Sequence, residues 1–160
     1  MQRSLQGIGR LAVLTILFCF SQQQFVFAQL PAGFVQKTLT DNTIREATCM
    51  AHAPDGRIFI AERGGIIKTY QNGTVTTLHT VATTTASEQG LLGITLHENF
   101  AQNGKCYIYY TNPGLTNHFL DVLVISANST VTSSTRLHQF DAIINGFHNG
   151  GAMWFKNGHL

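Results

Sequence analysis

Charged side chains are scarce in this 160-residue chain, where ten Lys and Arg residues and eight Asp and Glu residues make up 11% of the total. Two of the basic residues, Arg3 and Arg10, lie near the N-terminus. Residues 29–160 therefore carry equal numbers of basic and acidic side chains, with no basic patch to attract phosphates and no acidic tail. This balance argues against nucleic acid as a partner.

Cysteine is also sparse, with Cys19 near the N-terminus and Cys49 and Cys106 in the remainder. No CxxC pair or Cys/His cluster has the spacing of a zinc site, so the sequence predicts no metal ligands. Cys49 and Cys106, an even number without Cys19, could pair in an oxidising compartment. Their spacing does not show whether their Cα atoms lie within bridging distance. A disulfide between Cys49 and Cys106 and two separate buried thiols both remain open.

No hydrophobic run is long enough to span a bilayer, since the apolar segment LAVLTILFCF covers only residues 11–20. The two N-terminal arginines precede this segment, and Val26-Phe27-Ala28 follows it with small residues where signal peptidase reads. We therefore predict a secretory signal peptide at residues 1–28 and a mature start at Gln29. The expected location is secreted or periplasmic, without a stable membrane anchor.

Turn-forming residues punctuate the remaining sequence at short intervals. Between them lie short runs rich in β-branched and aromatic residues, at 57–62, 66–71, 74–81, 105–111 and 119–126. Strands of this length with dense turn signals, and no sustained helical period, predict an all-β fold. Asn72-Gly73 between two alternating runs is the strongest hairpin signal.

A strand–turn–strand unit recurs along the chain. It appears as MAHAPDGRIFIAE (50–62), as ITLHENFAQNGKCYIYYT (94–111) and, at its beginning only, as AMWFKNGHL (152–160). The interval fits a four-stranded antiparallel sheet, as in the blades of a β-propeller. The first blade is expected to have strands near 48–53, 57–63, 66–71 and 74–80. His52 and His97 fall at matching positions of the repeat, which favours packing roles; a sandwich of unrelated hairpins is the alternative fold.

Residues 29–160 are expected to form about two blades and the start of a third. Because each blade of a propeller buries its faces on its neighbours, this number of blades leaves a broad apolar face uncovered. We therefore expect the segment to be the incomplete N-terminal part of a longer β-propeller domain.

The chain resembles the soluble quinoprotein sugar dehydrogenases, the glucose/sorbosone dehydrogenase family. The matching stretches run in the family's order at 30–34, 50–73, 87–111, 117–118 and 147–158, and the segments EQGLLG and HNGG are the most specific. The resemblance implies a six-bladed β-propeller that uses pyrroloquinoline quinone (PQQ) with calcium. It also implies oxidation of the anomeric hydroxyl of an aldose sugar to a lactone, with a separate electron acceptor.

By this resemblance His148 matches the family's general base, and Glu88 matches a polar position that contacts the quinone. An imidazole that titrates near neutrality is suited to taking the hydroxyl proton as hydride leaves carbon. Gly150 and Gly151 would let the backbone turn sharply beside the histidine. Glu88 could instead cap the turn before Gly90, and His52, His97 and His118 are interpreted as structural. The family's basic cofactor-binding residues and calcium ligands would come from later blades.

Two other classes of function remain open. Relatives of the family include catalytically silent interaction modules such as the hedgehog-interacting proteins, and in such a module His148 would be a corner residue only. A calcium-dependent lactonase-type propeller would need inward-facing Glu, Asn or Asp ligands, which the sequence does not locate.

Residues 29–160 expressed alone are predicted to show no turnover and poor solubility, because the uncovered blade face and the incomplete site both lack the later blades. Dye reduction with aldoses, gel filtration and thermal melting would test this. A monomeric product that melts cooperatively would contradict it.

Overall fold

A computed structural model describes residues 30–40, 42–114, 117–142 and 146–160 of the chain. The chain divides into two units, residues 1–37 and residues 38–160. In the first unit the described residues form a turn, in which the Phe34 N–H donates to the Pro31 carbonyl oxygen at 3.1 Å. The predicted signal peptide lies outside the described residues. Within the described ranges, no helix has the length and apolar character needed to cross a bilayer.

The second unit contains two four-stranded antiparallel sheets, each in sequence order. The first consists of β1 (Ala47–His52), β2 (Ile58–Glu62), β3 (Ile66–Gln71) and β4 (Thr74–Thr80). The second consists of β5 (Leu91–Leu96), β6 (Lys105–Thr111), β7 (Asn117–Ile125) and β8 (Val131–Ala142), with the short helix α1 (Phe100–Asn103) between β5 and β6. The four strands expected in the first blade are confirmed. Two four-stranded meanders in sequence order are the arrangement expected of two propeller blades.

The predicted turn residues close the hairpins. Asn72 and Gly73 both have positive φ, 51° and 84°, which is the backbone that a two-residue turn between twisted strands requires. In the β1–β2 turn, Asp55 accepts the Arg57 N–H at 3.1 Å, and Gly56 at φ 86° donates its N–H to the Ala53 carbonyl. These local bonds fix where each strand ends.

Strand β8 and helix α1 are not anticipated by the sequence patterns. Almost every residue of β8 is exposed, so the strand shows no alternation of apolar and polar residues, and its place is set by pairing with β7. Helix α1 is only four residues long and buries Phe100 edge-on against Phe59, with ring centroids 5.4 Å apart. Gly104, at φ 62°, ends it in the left-handed conformation.

The expected match of His52 with His97 is wrong by one residue. Both sheets have a register shift early in their first strand, after which Cys49 opposes Ala61 and Gly93 opposes Tyr109. Counting from these shifts, His52 corresponds to Leu96, and His97 corresponds to the residue after His52. The surroundings of the two histidines also differ, because His52 is exposed whereas His97 packs on Phe155 at 4.2 Å between ring centroids.

The core lies between the two sheets and includes five fully buried large side chains: Phe59, Ile67, Leu91, Ile108 and Leu123. A buried cation, Arg57, joins the sheets at one edge. Its guanidinium lies 5.3 Å from the Phe59 ring centroid, pairs with Asp55 and donates to the Ser129 hydroxyl at 2.9 Å, in the turn between β7 and β8. A charge buried this well is stable only because each partner is in place.

Both cysteines of the second unit are free thiols, Cys49 half-buried on β1 and Cys106 fully buried on β6. Of the two arrangements left open by the sequence, the structure has thiols on separate strands. Burial raises the pKa of both, and for Cys106 the nearby Cys49 adds to the rise. Both groups therefore stay protonated at neutral pH.

The first strand of the second sheet, β5, is the point at which neighbouring blades meet. The Leu91 N–H donates to the Arg63 carbonyl at 2.9 Å, and the Leu91 carbonyl accepts the Thr48 hydroxyl at 2.7 Å, so β5 is bonded to the first sheet. On its other side Gly93 lies so close to Gly151 that a Cβ on Gly93 would overlap the Gly151 carbonyl oxygen. Segment 150–153 thus lies beside β5, as expected for the start of a third blade.

A Gly93→Ala substitution is predicted to lower the free energy of unfolding by about 1–3 kcal/mol, because the added methyl group forces segment 150–153 away from β5. Gly64→Ala is the matched control, since a Cβ there meets no atom within 4 Å. Urea denaturation of both variants in the protein that contains this chain would test the difference. Equal stability of the two variants would refute the close-packing assignment.

Candidate functional site

The two residues predicted for the site lie in equivalent connections of successive blades. Glu88 lies between β4 and β5, and His148 lies between β8 and the segment beside β5. The Glu88 carboxylate accepts the His148 backbone N–H at 2.7 Å, across 60 positions of sequence. The Glu88 N–H in turn donates to the Gly146 carbonyl at 3.1 Å. Both residues are exposed. The structure therefore brings them together at one open corner, which residues 87–88 and 146–148 form.

The backbone of this corner is held in an uncommon conformation. His148 has φ 58° and Ser87, next to Glu88, has φ 52°. Non-glycine residues in this left-handed region are uncommon and cost on the order of 1 kcal/mol each. The hydrogen bonds between Glu88 and the 146–148 segment offset that cost and fix where the imidazole leaves the chain.

Only one of the two glycines that follow Asn149 is required by its surroundings. Gly151 has φ 144°, and a Cβ there would lie 2.6 Å from the Leu92 carbonyl oxygen. Gly150 has more room, since a Cβ would meet only the Tyr109 hydroxyl at 3.9 Å. The sharp turn expected beside the histidine therefore depends on Gly151, where the backbone crosses β5.

A polar network centred on the buried His118 side chain stabilises the corner. His118, on β7, is buried, and its Nε2 lies 2.9 Å from the Asn149 Oδ1 while its Nδ1 lies 3.2 Å from the Thr111 Oγ1. The Asn149 amide donates to the Gly146 carbonyl at 2.9 Å, and the Tyr109 ring stacks on the imidazole at 4.9 Å between centroids. The sequence predicts a structural role for His118 but none for the side chains of Asn149 and Thr111. Asn149 lies 31 positions from His118 and Thr111 lies 7 positions from it, so no local sequence pattern predicts these contacts.

Arg63 stabilises the loop between β4 and β5, which contains Glu88. Its guanidinium donates to the carbonyl oxygens of Thr85 at 3.0 Å and Ser87 at 3.1 Å, and its Nε lies 3.3 Å from a Glu46 carboxylate oxygen. The side chain thus bridges the end of β2 and the loop before β5. Although two glycines follow Arg63 in the sequence, its guanidinium bonds Glu46, 17 positions away, and a loop more than twenty positions away.

Beside the corner, a cavity of about 370 Å³ is lined by Tyr109, Leu120, Phe140, Leu160 and segment 150–154. Burial raises the pKa of Tyr109, so its hydroxyl is a neutral donor at physiological pH. Across the residues that the structure describes, no group of three or more His, Cys, Asp or Glu side chains could hold a metal ion. The corner therefore offers an imidazole, a carboxylate and backbone groups.

Residues 44–160, most of the chain, match the family of glucose/sorbosone dehydrogenases. The chain belongs to this family. The resemblance to this family recognised in the sequence is confirmed.

Solved structures of β-propeller sugar dehydrogenases share the fold. A glucose dehydrogenase-type oxidoreductase from Thermus thermophilus is 26% identical with a TM-score of 0.65, over 72% of this chain and 35% of that one. The PQQ-bound aldose sugar dehydrogenase of Streptomyces coelicolor is 19% identical with a TM-score of 0.60, over 67% and 34%. The soluble apo aldose sugar dehydrogenase of Escherichia coli is 23% identical with a TM-score of 0.66, over 74% and 37%. The chain therefore spans about a third of each of these proteins, and the predicted β-propeller architecture is confirmed.

Removing the Glu88 carboxylate is predicted to loosen the corner. In Glu88→Ala, amide hydrogen exchange at His148 should quicken at least tenfold because its N–H loses its acceptor, whereas Glu88→Gln, which keeps an amide oxygen, should lie between. Selective histidine labelling and NMR of the protein that contains this chain would resolve the signal.

Glu98→Ala is the matched control for this measurement. Glu98 makes the same kind of contact elsewhere, accepting the N–H groups of Asn157 and Gly158 at 3.0 and 3.1 Å. Its removal should leave His148 exchange unchanged. A His148 amide that exchanges equally in all three variants would contradict the assigned contact.

Proposed function

We propose that the protein containing this chain is a sugar oxidoreductase that oxidises the anomeric hydroxyl of an aldose to a lactone, with PQQ as the hydride acceptor. The observation that carries the proposal is the meeting of Glu88 and His148 at one exposed corner, 60 positions apart in sequence. Membership of the glucose/sorbosone dehydrogenase family supports the reaction class. The substrate would be an aldose sugar, and a separate electron acceptor would complete the cycle.

In this proposal His148 is the general base. Its imidazole is exposed at the corner, where a sugar hydroxyl can approach, and an imidazole can accept a proton near neutral pH. The sugar loses the hydroxyl proton to the ring and a hydride from the anomeric carbon. PQQ, when bound, would supply the acceptor for that hydride. Glu88 holds the backbone of the base in place, so the ring need not be repositioned in each turnover.

The residues present fit one wall of a PQQ site. Glu88 and the backbone of the two connections can offer polar contacts to a flat quinone, as the family resemblance implies for Glu88. PQQ carries three carboxylates, and the Glu88 carboxylate beside them would add negative charge that calls for cations nearby. The neighbouring cation, Arg63, is bonded to Glu46 and to two carbonyl oxygens. We therefore propose that the other cationic groups and the calcium ligands come from later blades, and we assign no calcium ligand within residues 30–160.

The proposal includes delivery of the protein across a membrane. Residues 1–28 would act as a signal peptide and be removed before Gln29, which places residues 29–160 in a secreted or periplasmic propeller domain. The source of this proposal is the sequence pattern alone.

A non-catalytic interaction module is the second candidate. It is favoured by one observation, that the Glu88 and Asn149 side chains both bond backbone groups and so have a complete structural role without any ligand. In that case the corner would be a rigid loop pair for a protein or carbohydrate partner.

The dehydrogenase is tested with the full-length protein reconstituted with PQQ and calcium, by following dye reduction with a panel of aldoses. His148→Ala is predicted to lower kcat about 100- to 10,000-fold, the range for loss of a general base. His138→Ala is the control, because His138 is an exposed histidine on β8. Full activity of His148→Ala would disprove the catalytic assignment, and absence of activity in the unmodified protein would favour the interaction module.

A further inference from the structure

In the hydrogen-bond network around His118, the donor and the acceptor of each bond can be assigned. The Asn149 amide nitrogen donates to the Gly146 carbonyl, so its Oδ1 faces His118 as an acceptor. The His118 Nε2 must then carry the proton. Its Nδ1 is left as an acceptor, which the Thr111 hydroxyl can satisfy by donating, while the Thr111 oxygen accepts the Gly90 N–H at 3.4 Å. Every donor in this chain of bonds has an acceptor when His118 is neutral.

This chain of bonds links both connections of the site. Gly90 lies two residues after Glu88, and Asn149 follows His148 directly. The imidazole of His118 sits between them, 8% exposed and stacked on Tyr109. Residues Glu88 and His148 are thus joined twice, once directly through the carboxylate and once through Gly90, Thr111, His118 and Asn149.

We propose that His118 is a positioning residue for His148, an inference that rests on the proposed role of His148 as the base. By donating to Asn149, it fixes the residue that follows His148, while Glu88 fixes the N–H of His148 itself. The left-handed backbone at φ 58° is then held on both sides. Without the His118 contact, the Asn149 side chain would be held only by its bond to the Gly146 carbonyl, and the imidazole of His148 would leave the chain over a wider range of directions.

Two amide substitutions at His118 separate positioning from simple packing. The side-chain nitrogen of Gln reaches the place of the Nε2 donor, whereas the shorter Asn reaches only the Nδ1 side. His118→Gln therefore keeps the bond to Asn149, and His118→Asn keeps a bond to Thr111 but loses Asn149. Both put a neutral amide into the same buried site.

In the full-length protein with PQQ and calcium, His118→Asn is predicted to lower kcat about 10- to 100-fold with KM within about twofold. His118→Gln should restore kcat to within about threefold of the unmodified protein. The melting temperature should fall by a similar amount in both variants. If the role of His118 were purely structural, both variants would therefore lose a similar share of their activity. Equal kcat in the two variants would overturn the proposal.

A second readout does not depend on turnover. In His118→Asn the backbone amide of His148 should change its NMR chemical shift and exchange at least tenfold faster, while His118→Gln should keep both. If His148→Ala retains full activity, the proposed function fails, but this readout still decides whether His118 positions the corner. Should His118→Asn fail to fold, Asn149→Ala removes the same bond, together with the bond from Asn149 to the Gly146 carbonyl, and must reproduce the faster exchange. An unchanged His148 amide in that variant would overturn the proposal.

Discussion

The contact between the first strands of neighbouring blades determines most of this molecule's structure. Each sheet satisfies its own backbone hydrogen bonds, but its faces must be buried against another sheet. At β5, backbone atoms as well as side chains make these contacts. The Leu91 backbone bonds to the first sheet, and Gly93 lies against Gly151. Strands that approach so closely bring the connections leading into them together as well.

The candidate site is a product of that approach. Glu88 lies in the connection that leads into β5, and His148 in the one that leads into segment 150–153 beside β5, so their meeting requires no special excursion of the chain. The protein then fixes them through main-chain atoms, since Glu88 bonds the His148 N–H, Arg63 bonds the carbonyl oxygens of Thr85 and Ser87, and Asn149 bonds that of Gly146. A catalytic or binding corner held in this way has a defined backbone before any ligand arrives.

The hairpins could be read from the sequence because their signals are local. Asn72-Gly73 and the alternating runs beside it predict β3 and β4 within a residue, since turn geometry and strand pattern agree. Strand β8 could not be read in this way, because an exposed outer strand has no buried face to impose alternation. The one-residue offset between His52 and His97 is already present in the repeat, where His52 is the third residue of MAHAPDG and His97 the fourth of ITLHENF, and the register shifts common to both sheets preserve it.

Glu88 and His148 were recognised through family motifs, whereas the bond between them and the network through His118 were not. Such contacts depend on which strands become neighbours, and a single sequence carries no record of it. Thr111 and Asn149 are ordinary residues by type, and their roles appear only when β6, β7 and the last connection are placed together.

The strict sequence order of the strands in each sheet has a consequence for biosynthesis. Because every strand pairs with the one made just before it, each sheet can close its hydrogen bonds from its own consecutive residues, 47–80 in the first and 91–142 in the second, with little loop entropy to overcome. Blades can therefore form one after another as successive parts of the chain become free to fold. The face of the newest blade stays open to solvent until the next blade forms, so the interval between blades is when the folding chain is most exposed to aggregation.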